Sequence, residues 1–149
     1  MENILEIKNL KTHFYTEQGV AKAVDEVDLV IKKGNTLGVV GESGCGKSVT
    51  ALSIMRLIPE RVGEIVSGKI LFESKDLLQL SEDKIREIRG NDIAMIFQEP
   101  MTSLNPVFSI GEQISETLIL HERIPKKEAT GMAIEFLKNV GISPAETRY

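Results

Sequence analysis

The sequence predicts an α/β fold in which an antiparallel β layer and a helical portion accompany a strand–loop–helix unit. Three observations predict it. Residues 1–40 alternate apolar and polar side chains at the period of a half-buried strand, as in Val27–Ile31. The short apolar run Thr36–Val40 then leads through a glycine-rich loop into a helical pattern. Beyond Ser109, apolar residues recur at helical spacing. This order of elements indicates layers of both kinds around one core.

The segment before the glycine-rich loop is predicted to be rich in strands. Ile4–Leu10 and Val27–Ile31 both have strand-like patterns. Thr36–Val40 is short and apolar, as expected for a buried central strand of a parallel sheet. Val49–Leu57 then carries apolar residues at helical spacing and stops before Pro59, so a helix is expected directly after the loop.

Strands and helices are also expected after this first helix. The pattern predicts, in order, a strand over Gly63–Phe72, a short helix between Ser81 and Gly90, a buried strand over Ile93–Phe97, a loop over Gln98–Pro106, a helix from about Ile110 to His121, and a helix from near Pro125 to Gly141. The loop is assigned because its two prolines break regular structure.

The glycine-rich loop carries most of the functional information. Gly41–Ser48 reads Gly-Glu-Ser-Gly-Cys-Gly-Lys-Ser, which fits the phosphate-binding loop pattern. Glycines let backbone N–H groups converge on a phosphate. Lys47 supplies a positive charge for the β- and γ-phosphates, and the Ser48 hydroxyl is a suitable ligand for Mg²⁺. The predicted cofactor-binding residues of the loop are Gly41, Glu42, Ser43, Gly44, Cys45, Gly46, Lys47, Ser48 and Val49.

Composition excludes several other classes of protein. The chain has 149 residues, of which 42% are hydrophobic and 27% charged, as in ordinary globular domains. A net charge of -4 gives no general attraction to nucleic acid. No signal peptide and no transmembrane segment are visible. The single cysteine, Cys45, excludes an internal disulfide and suits a reducing cytosol.

Three stretches together resemble one family, the ATP-binding subunits of ABC transporters. They are the phosphate loop from Val39 to Ser48, the segment Ile96–Pro106, and Ala23–Val27 with the following Lys33-Gly34. The segment Ile96–Pro106 is the most specific of the three. It resembles the Q-loop region of the branch that powers oligopeptide and dipeptide importers. The likeness covers essentially the whole chain.

The resemblance implies roles for individual residues. It implies ATP and Mg²⁺ as cofactors and Lys47 and Gln98 as catalytic residues, with Ser48 and Gln98 as the metal ligands. Phe14 is similar in position to the family's aromatic residue that stacks on adenine, and Tyr15 is the neighbouring alternative. Such stacking contributes roughly 1–3 kcal/mol. Either aromatic is equally well explained as part of a strand.

The resemblance also implies a place in the cell and a set of partners. An ATP-binding subunit of this kind lies at the cytoplasmic face of the membrane and couples ATP hydrolysis to import of oligopeptides or dipeptides. Its partners are transmembrane permease subunits, a second ATP-binding subunit and, indirectly, a solute-binding protein. Residues 1–108 correspond to the core with its β layer, and residues 109–149 to the start of a helical subdomain. Import of nickel or another small solute, an ABC ATPase outside transport, and an inactive truncated product remain as alternatives.

Some family motifs are missing after Gln98. The chain contains neither a Leu-Ser-Gly-Gly-Gln-like signature nor an apolar strand ending in Asp-Glu beyond that residue, nor a later switch histidine. The chain is therefore expected to be an incomplete, N-terminal part of one ATP-binding domain. It is also expected to bind Mg-ATP weakly without hydrolysing it, because phosphoryl transfer needs a positioned water and further charge stabilisation. An exposed edge beside Thr36–Val40 is expected to favour association.

Overall fold

A computed structural model describes residues 2–98 and 104–148 of the chain. These residues form two compact units. The first ends at Arg86 and the second begins at Glu87. The first unit contains the β-sheet and the glycine-rich loop, and the second contains most of the helices.

The first unit is built on one antiparallel sheet of four strands. The strands are β1 (Asn3–Thr16), β2 (Gly19–Lys32), β3 (Gly63–Phe72) and β4 (Lys75–Asp76), in the order β2-β1-β3-β4. All pairs are antiparallel. The predicted antiparallel β layer is therefore confirmed, and the strand predicted over Gly63–Phe72 has the predicted bounds.

The central strand β1 buries one of its faces. Leu5, Ile7 and Leu10 are at most 7% exposed. Their spacing changes from two to three residues because Asn9 has a positive φ of 46°, and its backbone N–H donates to Asp28 Oδ1 at 2.9 Å. The irregular register on both sides of this position is a β-bulge, which lets the strand bend while its apolar side chains stay on the core face.

Helix α1 spans Lys47–Ile54, directly after the glycine-rich loop, as the sequence predicts. It ends earlier than the predicted Leu57. Arg56 has a left-handed φ of 51° and donates its N–H to the Ser53 carbonyl, and the Leu57 N–H donates to the Leu52 carbonyl at 2.8 Å. These two bonds form a Schellman motif, so the carbonyls at the helix end are satisfied before the chain reaches Pro59.

Two predicted strands are wrong. Thr36–Val40 has no strand structure, and Val40 is 93% exposed. Ile93–Phe97 forms a single bridge, from Ile93 to Arg89, and Ile96 is 97% exposed. A buried parallel strand requires hydrogen-bonding neighbours. Within residues 2–98 and 104–148, no strand pairs with either segment, so both apolar runs lie in irregular chain.

The helices that follow the sheet agree closely with the sequence. They are α2 (Glu82–Ile88), α3 (Ile110–His121), α4 (Lys126–Asn139) and α5 (Ala145–Arg148), with a 3₁₀ turn at Leu77–Gln79 before α2. In the second unit α3 packs against α4, and Leu118, Ala129 and Ala133 are among the buried residues. No helix in the described ranges is both long and apolar enough to cross a membrane.

Candidate nucleotide-binding site

The glycine-rich loop turns sharply before it enters α1. Residues 43 and 44 form a turn, and Gly44 has a positive φ of 81°. Gly46, the N-cap residue of α1, has φ 94° and ψ -1°. Non-glycine residues rarely adopt this conformation. The two glycines therefore allow the backbone curl that the sequence motif predicts.

Lys47 lies inside the curve of the loop. Its Nζ donates to the carbonyl oxygens of Gly41 and Glu42, both at 2.7 Å, and lies 3.4 Å from Cys45 Sγ. The residue is half-buried, and Cys45 is exposed. A positive charge is thus held at the centre of the loop by backbone oxygens, within reach of any anion that binds there.

Two glycines of the motif lie so close to neighbouring atoms that a side chain would not fit. A Cβ added to Gly46 would lie 2.4 Å from the carbonyl oxygen of Ala23 in β2, and one added to Gly41 would lie 2.5 Å from Cys45 Sγ. The first neighbour is backbone and cannot rotate away. Gly46 therefore seats the start of α1 directly on the sheet, and Gly41 leaves room for the side chain of Cys45.

The start of α1 leaves donors free for a ligand. No side chain caps the helix, and its first turn contains no acidic residue. The Thr50 N–H donates to the Gly46 carbonyl at 2.8 Å, so the N–H groups of Lys47, Ser48 and Val49 precede the first helical bond. The Ser48 hydroxyl is exposed and has no hydrogen-bond partner among the described residues. Backbone donors and the helix dipole both favour an anion here.

Phe14 and Tyr15 lie on opposite faces of the sheet. A Cβ on Gly63 would come within 2.9 Å of the Phe14 ring. Thr12, two residues before Phe14 and therefore on the same face, bonds to Ser53 of α1, so Phe14 lies on the face that carries α1. Tyr15 instead donates its hydroxyl to Glu64, the next residue of β3, at 3.1 Å. This hydrogen bond raises the pKa of Tyr15 above its ordinary value. Only Phe14 therefore shares a face with the helix that begins at the loop.

Gln98 belongs to the second unit, where it is exposed in a bend. The following part of the Q-loop-like segment, residues 99–103, lies outside the described residues. The described ranges hold no cluster of three or more His, Cys, Asp or Glu side chains suited to a metal. The proposed roles of Gln98 in catalysis and in metal binding thus stay predictions.

The contacts that hold α1 on the sheet are only weakly indicated by the sequence. Thr12 and Ser53 are fully buried, and their hydroxyl oxygens lie 2.8 Å apart. They are 41 positions apart in the chain. The Ala23 carbonyl that contacts Gly46 is likewise remote in sequence. A hydroxyl residue at an apolar strand position is the only sequence signal of the first contact, and it is a weak one.

Most of the chain matches a known protein family. Residues 24–149 match the family model described as ABC transporter. The chain belongs to the ABC transporter family. The match covers both the phosphate loop and the helices of the second unit, so the resemblance expected from the sequence is confirmed.

Curated relatives of the chain include proteins named for peptide transport. The probable peptide ABC transporter ATP-binding protein y4tR of Sinorhizobium fredii is 50% identical over 97% of this chain and 43% of its own length. The oligopeptide transport ATP-binding protein AppD of Bacillus subtilis is 53% identical over 98% of this chain and 44% of its own length. The chain thus spans less than half the length of these relatives.

A solved structure also shares the fold. The dimeric bacterial ABC transporter cassette MJ0796 aligns with a TM-score of 0.76 and 26% identity, over 90% of this chain and 56% of that chain. A second structure of that cassette, in a post-hydrolysis state bound to ADP and Pi, aligns with a TM-score of 0.73 and 24% identity. The predicted fold class, an ABC-type α/β domain with an antiparallel β layer, is confirmed.

Proposed function

We propose that this chain is the ATP-binding part of a peptide importer and couples ATP binding and hydrolysis to uptake of oligopeptides or dipeptides. One observation carries the proposal: the Lys47 ammonium lies 2.7 Å from two carbonyl oxygens at the centre of a loop bounded by Gly41 and Gly46, directly before α1. Family membership and the names of the relatives support it.

The residues of the loop fit a nucleotide triphosphate. Lys47 would exchange its carbonyl contacts for oxygens of the β- and γ-phosphates, and the free N–H groups at the start of α1 would donate to the same anion. The exposed Ser48 hydroxyl would contact Mg²⁺, with Gln98 as a further ligand in the assembled site. Mg²⁺ supplies charge neutralisation between the phosphates. Phe14 is the better candidate for adenine stacking, because Tyr15 is bonded to Glu64 on the other face.

The partners and the location follow from the proposed role. Permease subunits would cross the membrane, and this chain would lie at the cytoplasmic face beside a second ATP-binding subunit. A dimeric solved relative supports such pairing. A solute-binding protein would deliver the peptide. Residues 1–108 would belong to the nucleotide-binding core and residues 109–149 to the start of the helical subdomain.

Residues 1–149 alone are proposed to hold nucleotide without cleaving it. They supply the phosphate loop, Lys47 and Ser48, but beyond Gln98 they contain no apolar strand ending in Asp-Glu and no Leu-Ser-Gly-Gly-Gln-like signature. Phosphate release from Mg-ATP by this polypeptide should therefore equal the background. A rate that falls on Lys47→Ala would contradict the proposal, because it would show a complete site.

The binding proposal is tested by replacing the lysine. Lys47→Ala should weaken Mg-ATP binding about 10- to 100-fold, since a hydrogen bond to a charged group contributes roughly 1.5–3 kcal/mol. Titration with a fluorescent ATP analogue measures the loss. Lys33→Ala is the matched control, because Lys33 is exposed in the turn before the loop. Equal affinity of the Lys47 variant and the unchanged protein would exclude the loop as the nucleotide site.

The solute is tested in cells. Disruption of the gene should abolish uptake of labelled dipeptide or oligopeptide, and the intact gene should restore it while the Lys47→Ala gene should not. Uptake of labelled nickel in the same cells is the comparison. If nickel uptake is lost while peptide uptake stays normal, the solute is nickel rather than peptide. The proposed ATP site would not be affected by that result.

A further inference from the structure

A buried pair of hydroxyl groups connects the sheet to the phosphate-loop helix. Thr12 Oγ1 in β1 lies 2.8 Å from Ser53 Oγ in α1, and both residues are 0% exposed. Ser53 Oγ also donates to the Val49 carbonyl at 2.8 Å. A serine hydroxyl has one proton. Ser53 donates this proton to the Val49 carbonyl, so Thr12 must be the donor in its hydrogen bond with Ser53.

The same part of the sheet also supports the start of α1. Thr12 pairs with Val24 of β2, and His13 pairs with Lys22. Ala23 is therefore the extra residue of a β-bulge beside Thr12, and its carbonyl oxygen is the atom that approaches Gly46. Bulges often redirect a backbone group next to a functional site. Two neighbouring contacts therefore hold α1 on the sheet. Gly46 packs on the Ala23 carbonyl at the start of the helix, and Ser53 bonds to Thr12 further along it.

Phe14 lies two residues beyond Thr12 on the same strand. Side chains two apart in a strand share a face, so Phe14 lies on the face where Thr12 bonds to Ser53 of α1. One rigid strand therefore carries both the anchor of the phosphate loop and the ring proposed to stack on adenine. A ligand that must contact both places at once binds more tightly when their separation is fixed beforehand.

We propose that Thr12 and Ser53 are positioning residues that fix the phosphate loop relative to Phe14, so that base and phosphate contacts form together. This inference rests on the proposed nucleotide site. Neither residue touches the nucleotide in this proposal. Loss of the hydroxyl pair should leave the phosphate loop and the Phe14 ring intact. It should weaken the binding only of ligands that contact both.

The test compares ATP with inorganic tripolyphosphate in the full-length protein. Thr12→Val keeps the shape of the side chain and removes the donor. It should weaken Mg-ATP binding about fivefold, the factor that corresponds to one ordinary hydrogen bond. Binding of tripolyphosphate, measured by competition with the fluorescent analogue, should change less than twofold. Thr12→Ser, which keeps the hydroxyl, should restore ATP binding. Thr16→Val in the same strand is the matched control, since its hydroxyl is exposed and bonds to Gly19.

A double-mutant cycle separates positioning from loss of structure. In a Phe14→Ala background, Thr12→Val should cause no further loss of ATP affinity, because no base contact remains to be aligned. Equal losses for ATP and tripolyphosphate, or an undiminished loss in the Phe14→Ala background, would overturn the proposal. So would unchanged ATP binding by Thr12→Val.

A second variant covers the case in which Thr12→Val fails to fold. Ser53→Ala removes the acceptor from the helix side with a residue that favours helix, and the same results are expected of it. Failure of the unchanged protein to bind ATP would be a different outcome. It would reject the proposed nucleotide site before any variant is compared.

Discussion

Gly46 is held by two independent constraints, its backbone conformation and its contact with β2. Its φ of 94° alone should cost a substituted L-residue about 1–2 kcal/mol. A Cβ would also lie 2.4 Å from the Ala23 carbonyl oxygen. Gly46→Ala should therefore destabilise the first unit by more than about 2 kcal/mol, or shift the start of α1 and abolish nucleotide binding. Urea unfolding and the fluorescent ATP titration measure the two effects.

Gly38→Ala is the control for that substitution. A Cβ at Gly38 meets no atom within 4 Å, so stability should change by less than about 0.5 kcal/mol. A Gly46→Ala protein that unfolds and binds ATP like Gly38→Ala would show that the contact with β2 is not maintained in solution.

The sequence predicted the glycine-rich loop but not the contacts that support it. Glycine, lysine and serine at motif spacing have physical meanings that do not depend on the rest of the fold, so Gly41–Ser48 could be assigned at once. The hydroxyl pair of Thr12 and Ser53 could not, because it depends on how α1 packs on the sheet. The choice between Phe14 and Tyr15 also needed the structure, since it depends on which face each ring occupies.

Helix α3 begins with a capping box. Ser109 accepts from the Glu112 N–H at 3.1 Å, and its own N–H and hydroxyl both donate to Glu112 Oε2 at 3.0 Å. The backbone hydrogen bond from Ser109, more than any other contact, lowers the pKa of Glu112 below its ordinary value of 4.5. The carboxylate therefore stabilises the folded state above the unfolded pKa, and this stabilisation is lost as the pH falls through the lowered folded pKa.

Glu112→Gln should show this dependence directly. A glutamine still accepts hydrogen bonds but has no charge. The difference in unfolding free energy between the unchanged protein and the variant should be complete at pH 7 and should shrink as the pH falls below 4.5 and through the lowered folded pKa. Urea unfolding across this range measures it. A difference that stays constant across this pH range would contradict the capping role.

Helix α4 offers a substitution that should stabilise the protein. Gly131 lies exposed within Lys126–Asn139, its φ is not positive, and a Cβ there meets nothing within 4 Å. Gly131→Ala should raise the stability of the second unit by about 0.5–1 kcal/mol, because alanine loses less backbone entropy in a helix. The midpoint of urea unfolding should rise. Gly141→Ala should lower it, since Gly141 has a positive φ of 80° after the helix.

Local patterns predicted the elements that depend on local interactions. Gly63–Phe72, Ile110–His121 and the stop at Gly141 follow from alternation, helical spacing and cap residues. Thr36–Val40 and Ile93–Phe97 were assigned by the same rules and are not strands. A continuous apolar run shows that a segment needs burial, but its pairing depends on partner strands that sequence alone does not identify.

The apolar segments Thr36–Val40 and Ile93–Phe97 form the largest difference between the expected and the observed fold. Val39 and Val40 are 54% and 93% exposed, and Ile96 and Phe97 are 97% and 48% exposed. Apolar strand-forming segments without neighbours are typical sites of association. Neighbouring strands would pair with the backbone of both segments and bury their apolar side chains. A second polypeptide can supply such strands.

Residues 1–149 produced alone should therefore self-associate. Sedimentation velocity should show species larger than the monomer of 16.5 kDa, with a share that grows with concentration. The double substitution Val40→Ser with Ile96→Ser should shift the distribution toward monomer, because it removes the two most exposed apolar side chains of these segments. Val140→Ser is the control, since Val140 is 72% exposed but follows α4 rather than an apolar run. If the control dissociates the protein as well as the double variant does, general surface hydrophobicity causes the association, and the two unpaired segments have no special part in it.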